Sequence, residues 1–136
     1  MRLDIDETVK PDIVASLTDL GDIGEFDLIY CSHTLEHLYY PDAIKAVSEF
    51  HRVLKKEGGI IINVPNLEGI VPTFDIIYES VSGPITGHHM IYGYPGEYWA
   101  HRTGFTKRTL NEILRIFRNV SVIDTFQHTL TALGQK

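Results

Sequence analysis

FDLIYCSHTLEHLYYPDAIKAVSEFHRVLKKEGGIIINVPN, Phe26–Asn66, is the stretch on which the reading of this chain turns. Phe26–Cys31 is a short apolar run ending at Ser32 and His33, the pattern of a strand covered on both faces. Pro41 and Asp42 open a helix in which Ala43, Val47, Phe50 and Leu54 recur at helical spacing. Lys45, Ser48, Glu49 and Arg52 take the other side. Gly58 and Gly59 are expected to stop that helix. Ile60–Val64 is a second β-branched run, closed by Pro65, so the unit reads as a right-handed strand-helix-strand crossover. Ligands bind such sheets at the carboxyl ends of parallel strands, here Ser32-His33 and Pro65-Asn66.

The totals bound what surrounds this unit. A chain of 136 residues, 43% hydrophobic and 22% charged, reads as one domain with an ordinary core. A formal charge of -6 argues against nucleic acid as a partner, since phosphate-backbone binding needs a basic face. Arg102, Lys107, Arg108, Arg115 and Arg118 form a local basic cluster, either the solvated side of a helix or a seat for an acidic or nucleotide ligand. The single cysteine, Cys31, cannot form an internal disulfide, and no apolar run approaches the roughly 20 residues of a membrane span. Cytoplasmic localisation without membrane association is the expectation.

Outward from the crossover, Arg2–Ile5 and Asp12–Ala15 are short strand candidates joined by a turn at Lys10-Pro11. Residues 67–104 are rich in glycine and proline yet also in aromatics, which marks a folded flap with a short helix at Phe74–Val81. Thr106 caps an amphipathic helix to Phe117 that turns Leu110, Ile113, Leu114 and Phe117 to the core. Val120–Phe126 and Thr129–Leu133, separated by Gln127 and His128, should form an antiparallel hairpin.

Taken together, Leu3–Asp6, Asp12–Ser16, Phe26–Tyr39, Glu49–Gly58, Val64–Leu67, Ile91–Gly93 and Ala100–Thr106 resemble the class I S-adenosylmethionine-dependent methyltransferases, nearest to a type 11-like branch. The resemblance implies an α/β, Rossmann-like sheet, mostly parallel with a C-terminal antiparallel hairpin. It implies S-adenosylmethionine as cofactor and transfer of its methyl group to an acceptor that the flap does not identify. By the same resemblance Asp4 holds the ribose hydroxyls, Ser16 and Leu17 border adenine, and Ser32 and His33 border the methionine end. Ser16 departs from the acidic residue usual there. A turn at Asp4 and a helix-start hydrogen bond at His33 are the structural alternatives. No G-x-G string precedes Arg2, so the chain resembles the family truncated at its amino end, without the glycine-rich turn where backbone approaches the cofactor. That leaves an unpaired edge beside Phe26–Cys31. Three repairs are open, a slide of residues 1–20 into the vacancy, a second copy paired across it, or a chain that is a fragment of a longer product; pairing between copies in a homodimer is the favoured expectation.

Methyl transfer from a sulfonium depends mainly on alignment, and a base is needed only where the acceptor must lose a proton. His33 and His101 are the candidate catalytic imidazoles. His88, His89, Tyr92, Tyr98 and Trp99 are the flap residues available to an acceptor, or else the flap's own small core. Two other readings stand beside this one. A non-catalytic remnant would act as a dimeric or partner-binding domain. A zinc hydrolase would use His33-Thr34-Leu35-Glu36-His37 as H-x-x-E-H, but that pattern needs a sustained helix, which Tyr40-Pro41 interrupts, so no metal is expected.

Overall fold

Two very short strands, β1 (Leu3–Asp4) and β2 (Ile13–Val14), pair in parallel at the start of the computed structural model, which describes residues 1–136. A 3-10 turn at Glu7–Val9 and a left-handed Lys10 join them. This pair is a separate two-stranded sheet and does not occupy the edge beside Phe26.

The expected crossover follows. β3 (Phe26–Ser32) leads through a 3-10 turn at Leu35–His37 into α1 (Tyr40–Val53), and β4 (Leu54–Pro65) returns parallel to β3, with Leu28 opposite Gly59 and Ser32 opposite Asn63. Pro41 lies in the first turn of α1, where its missing N–H costs nothing. The helix ends at Val53, ahead of the two glycines, which lie inside β4 instead. There the pairing jumps from Phe26–Leu54 to Leu28–Gly59. A Cβ on Gly58 would sit 2.9 Å from the Lys55 carbonyl oxygen and 3.2 Å from that of Asp27, so close backbone approach explains the glycine, not helix termination.

Residues 67–104 form a second small sheet, β5 (Ile76–Ser80) against β6 (Gly83–Thr86), followed by α2 (Gly87–Tyr92). The helix expected at Phe74–Val81 is therefore a strand. Ile76, Ile77 and Tyr78 favour a pleated chain, and Val81-Ser82 makes the turn into Gly83. α3 (Lys107–Ile113) begins at Thr106 as expected: its hydroxyl accepts the Thr109 N–H while the Thr109 hydroxyl accepts the Thr106 N–H.

β7 (Arg118–Thr125) and β8 (Thr129–Gln135) form the expected hairpin, with Gln127 and His128 both left-handed in the turn. β8 also pairs antiparallel with β4, giving the order β3-β4-β8-β7. Only β3–β4 is parallel in this sheet, so it is mixed, not mostly parallel.

One face of the sheet carries the core. Ala43, Val47 and Phe50 of α1 and Leu110 and Leu114 beside α3 close over Ile60, Ile62, Val64 and Leu130. Each of these side chains larger than Ala43 contributes about 1.5–3 kcal/mol of transfer free energy. The opposite face is open: Leu28 is 57% and Tyr30 64% exposed, against the expectation of a strand covered on both sides. Polar cross-strand links run over that face. The Asn63 amide donates to the Tyr30 phenol oxygen (3.0 Å), and the Thr131 hydroxyl donates to Asn63 Oδ1 (2.9 Å). No helix is long and apolar enough to cross a membrane.

Candidate functional site

Between the β1–β2 pair and the free edge of β3 lies a cleft of about 570 Å³. Leu3, Ile13 and Leu17 form one wall and Phe26, Ile29 and Cys31 the other, and 13 of the 16 lining residues are hydrophobic. Ser32 and Thr34 also border it, so two of the residues singled out in the sequence, Leu17 and Ser32, meet in one cleft although they come from different parts of the chain. Cys31 is 7% exposed, and burial, with the Glu36 charge adding to it, pushes its thiol up to about 12.

The remaining sequence candidates occupy distinct positions. Asp4 ends β1, and its Oδ1 accepts the Asp6 N–H at 3.0 Å, closing a turn and leaving its other oxygen free of hydrogen bonds. The Ser16 hydroxyl is engaged with Thr18, accepting that residue's N–H (3.3 Å) and lying 2.9 Å from its hydroxyl. His88, His89, Tyr92, Tyr98 and Trp99 do not line the cleft. In the flap, His88 stacks on Phe74 (5.0 Å between centroids) and tilts against Tyr92 (4.7 Å), while His89 meets the edge of Tyr94 (3.8 Å). The basic cluster is divided: Arg108, paired with Glu112, lines a second pocket with Arg115, whereas Arg118 pairs with Glu57 and Arg102 lies over the Tyr39 ring.

Beyond Ser32 the chain makes a sharp turn that gathers polar groups. His33 takes a left-handed conformation (φ 49°), and its N–H extends the ladder to the Asn63 carbonyl (2.8 Å). Its Nδ1 lies 3.4 Å from Glu36 Oε1, a contact that holds the imidazole above its ordinary range. Thr34 and the single 3-10 turn at Leu35–His37 keep His33 and His37 off a common helix, so the H-x-x-E-H string does not form the two-histidine helix of a zinc hydrolase. His37 faces a different residue, His101, with ring centroids 5.1 Å apart.

Long-range hydrogen bonds bring His101 there. The Glu36 carbonyl accepts the N–H groups of Arg102 (2.8 Å) and Thr103 (3.1 Å), and the Thr103 hydroxyl donates to the Leu38 carbonyl (2.6 Å). His37 donates from Nδ1 to the Ala100 carbonyl (3.1 Å), and His101 donates from Nδ1 to the Met90 carbonyl (2.8 Å). Burial pushes His101 below the usual imidazole range, with the Met90 bond opposing it. Glu36 is 2% exposed, and its Oε2 has no hydrogen-bond partner. The strings SHTLEH and AHRTGF were each visible in the sequence, but nothing there joined Glu36 to His101.

Residues 5–62 match the family described as "Methyltransferase domain". An uncharacterized protein of Methanocaldococcus jannaschii is 39% identical over 46 residues, which is 34% of this chain and 19% of that protein. Among solved structures, an S-adenosylmethionine-dependent methyltransferase from Clostridium acetobutylicum superposes with a TM-score of 0.66 at 12% identity, over 98% of this chain and 73% of that one. Human N-acetylserotonin methyltransferase in complex with S-adenosylmethionine gives a TM-score of 0.61 at 13% identity, over 90% of this chain and 32% of the human one. The chain thus spans about a fifth of the archaeal relative and a third of the human enzyme. Residues 5–62 thus carry a methyltransferase-domain signature, and nearly the whole chain has a fold similar to that of S-adenosylmethionine-dependent methyltransferases.

Proposed function

We propose that this chain serves methyl transfer from S-adenosylmethionine, and that the cleft beside β3 receives the nucleoside half of that cofactor. The observation that carries this reading is the meeting of Leu17 and Ser32 on one cleft bordered by the carboxyl end of β3. The residues fit the cofactor unequally. Apolar walls suit an adenine ring; Asp4 is not itself a lining residue, but it follows Leu3 of the wall and keeps one oxygen free for a ribose diol. No glycine lines the cleft, so the lining groups that could meet the charged amino-acid half are the polar side chains of Arg2, Ser32 and Thr34.

When bound, the cofactor supplies a methyl group on a sulfonium with a good leaving group. The protein's share is alignment: Asp4 and Leu17 would fix the nucleoside, Ser32 would fix the other end, and the cleft walls would exclude water. His33, next in sequence to the lining residue Ser32 though not lining the cleft itself, would be the imidazole to take a proton from an acceptor hydroxyl or amine.

The apolar, glycine-free lining favours one rival, a partner-binding domain that no longer holds the cofactor. Calorimetric titration with S-adenosylhomocysteine and with adenosine separates the two. Binding of both, with dissociation constants on the order of 0.1 mM (roughly 5.5 kcal/mol) and at least tenfold weaker in Asp4→Asn, is the expected result. A folded protein that takes up neither ligand overturns the cofactor reading in favour of the partner-binding one.

A further inference from the structure

The carboxylate of Glu36 is the least easily explained group in the molecule. Its residue already serves the fold through the backbone, because the Glu36 carbonyl accepts both N–H groups that hold Arg102 and Thr103 in place. The side chain adds nothing to that link, yet it is 2% exposed with Oε2 unpartnered. Leaving such an acceptor unsatisfied costs about 1–3 kcal/mol, and more when it is ionised. Something electropositive belongs beside it.

The neighbouring imidazoles are prepared for the same occupant. A carbonyl oxygen can only accept, so the bonds to Ala100 and Met90 require that Nδ1 of His37 and of His101 each carry the proton. Each ring is thereby held in the tautomer that leaves Nε2 with its lone pair. A second ring nitrogen tied to a backbone carbonyl is the arrangement that orients metal-binding histidines. One potential ligand atom from each of Glu36, His37 and His101 lies within 4.8 Å of the others. Two ligands at about 2.1 Å from one ion are at most about 4.2 Å apart, so a small rotation of the side chains closes the set.

We propose that Glu36, His37 and His101 bind one divalent transition-metal ion of the zinc class. Two imidazoles and a carboxylate suit such an ion better than magnesium or calcium, which prefer all-oxygen sets. His33, beside Oε1, orients the carboxylate from outside the ligand set. The ion would pin the segment carrying Ala100–Thr103 to the turn after β3, supplementing the Thr103–Leu38 bond. This proposal does not depend on methyl transfer, and the H-x-x-E-H pairing of His33 with His37 has no part in it.

The test uses the full chain after chelator treatment, titrated with Zn²⁺ by calorimetry and with Co²⁺ by visible absorption. One ion per chain is expected, with Co²⁺ bands of a nitrogen and oxygen site and a rise in thermal midpoint on Zn²⁺ addition. His101→Gln should weaken Zn²⁺ binding at least 100-fold and abolish the thermal shift, whereas His51→Gln, on α1, should leave both unchanged. Glu36→Gln keeps the size of the buried group and should also lose affinity. If that variant does not fold, the half-buried His101 carries the comparison. A natively folded protein that takes up no Zn²⁺, or uptake unaltered by His101→Gln, overturns the proposal.

Discussion

Glu49 on α1 accepts the backbone N–H of Leu20 at 2.9 Å, and through that bond the segment following β2 is fastened to the helix that crosses the main sheet. Arg52 completes the junction, donating to both Glu49 oxygens (2.8 Å each) and to the Gly21 carbonyl (2.8 Å). These donors, Arg52 foremost, hold the Glu49 carboxyl down at about 2.

A group whose pKa is depressed on folding stabilises above its unfolded pKa, near 4.3 for glutamate. Glu49 therefore contributes fully at neutral pH, and its contribution is lost as the pH falls from there toward about 2. Glu49→Gln should lower stability at pH 7 by about 1–2 kcal/mol. The loss stays this small because the amide oxygen can still accept the Leu20 N–H and because Arg52 is half exposed, so its ion pair is screened. Denaturant unfolding at pH 7 and pH 2.5 checks this: the gap between the two proteins should shrink at the lower pH, and an unchanged gap contradicts the assignment.

Gly93 controls the approach of the flap to His101. It sits at φ 68°, and a Cβ there would overlap the Trp99 carbonyl oxygen and lie 2.9 Å from the His101 nitrogen. Gly93→Ala is expected to disrupt the 92–101 turn, where the His101 N–H reaches the Tyr92 carbonyl (2.9 Å). Destabilisation of roughly 1–3 kcal/mol follows from the strain, with faster proteolysis confined to residues 87–104. Mass spectrometry of the first cleavage products tests the location, and cutting elsewhere would count against it.

What could be read from the sequence follows the range of the interactions involved. The β3-α1-β4 crossover, the Thr106 cap and the β7–β8 hairpin are each set by periodicity or turn chemistry within a few residues. A helix-stop rule fails at Gly58 because the crowding there comes from the Asp27 and Lys55 carbonyls, which the rule does not see. At Phe74–Val81 the short apolar run has no decisive period, and pairing with β6 settles Ile76–Ser80 as a strand. The Glu36–His37–His101 grouping was invisible for the same reason. It exists only because Arg102 and Thr103 hydrogen-bond to the Glu36 carbonyl from a remote part of the chain.

Cys31 offers a direct reading of burial beneath the cleft. With its thiol pushed to about 12, the native protein at pH 8 should hold on the order of 1000-fold less thiolate than an unperturbed cysteine near 8.5. Labelling by a disulfide reagent should be slow in buffer and fast in denaturant. Rapid native labelling would show that the cleft wall opens far more readily than its packing suggests.

The free edge of β3 leads to the final prediction. Its outer backbone groups face no neighbouring strand, and Leu28 and Tyr30 are exposed beside them. An edge of that kind is a template for pairing, and we propose that, while the adjoining cleft holds no cofactor, two copies meet along it about a two-fold axis. Sedimentation velocity over a range of concentrations should show a dimer that dissociates on dilution. Leu28→Lys places a charge on the edge and should shift the protein to monomer with little loss of stability, since the side chain is already in water. A monomer at every concentration would rule out the pairing. A dimer indifferent to Leu28→Lys would place the contact on another surface.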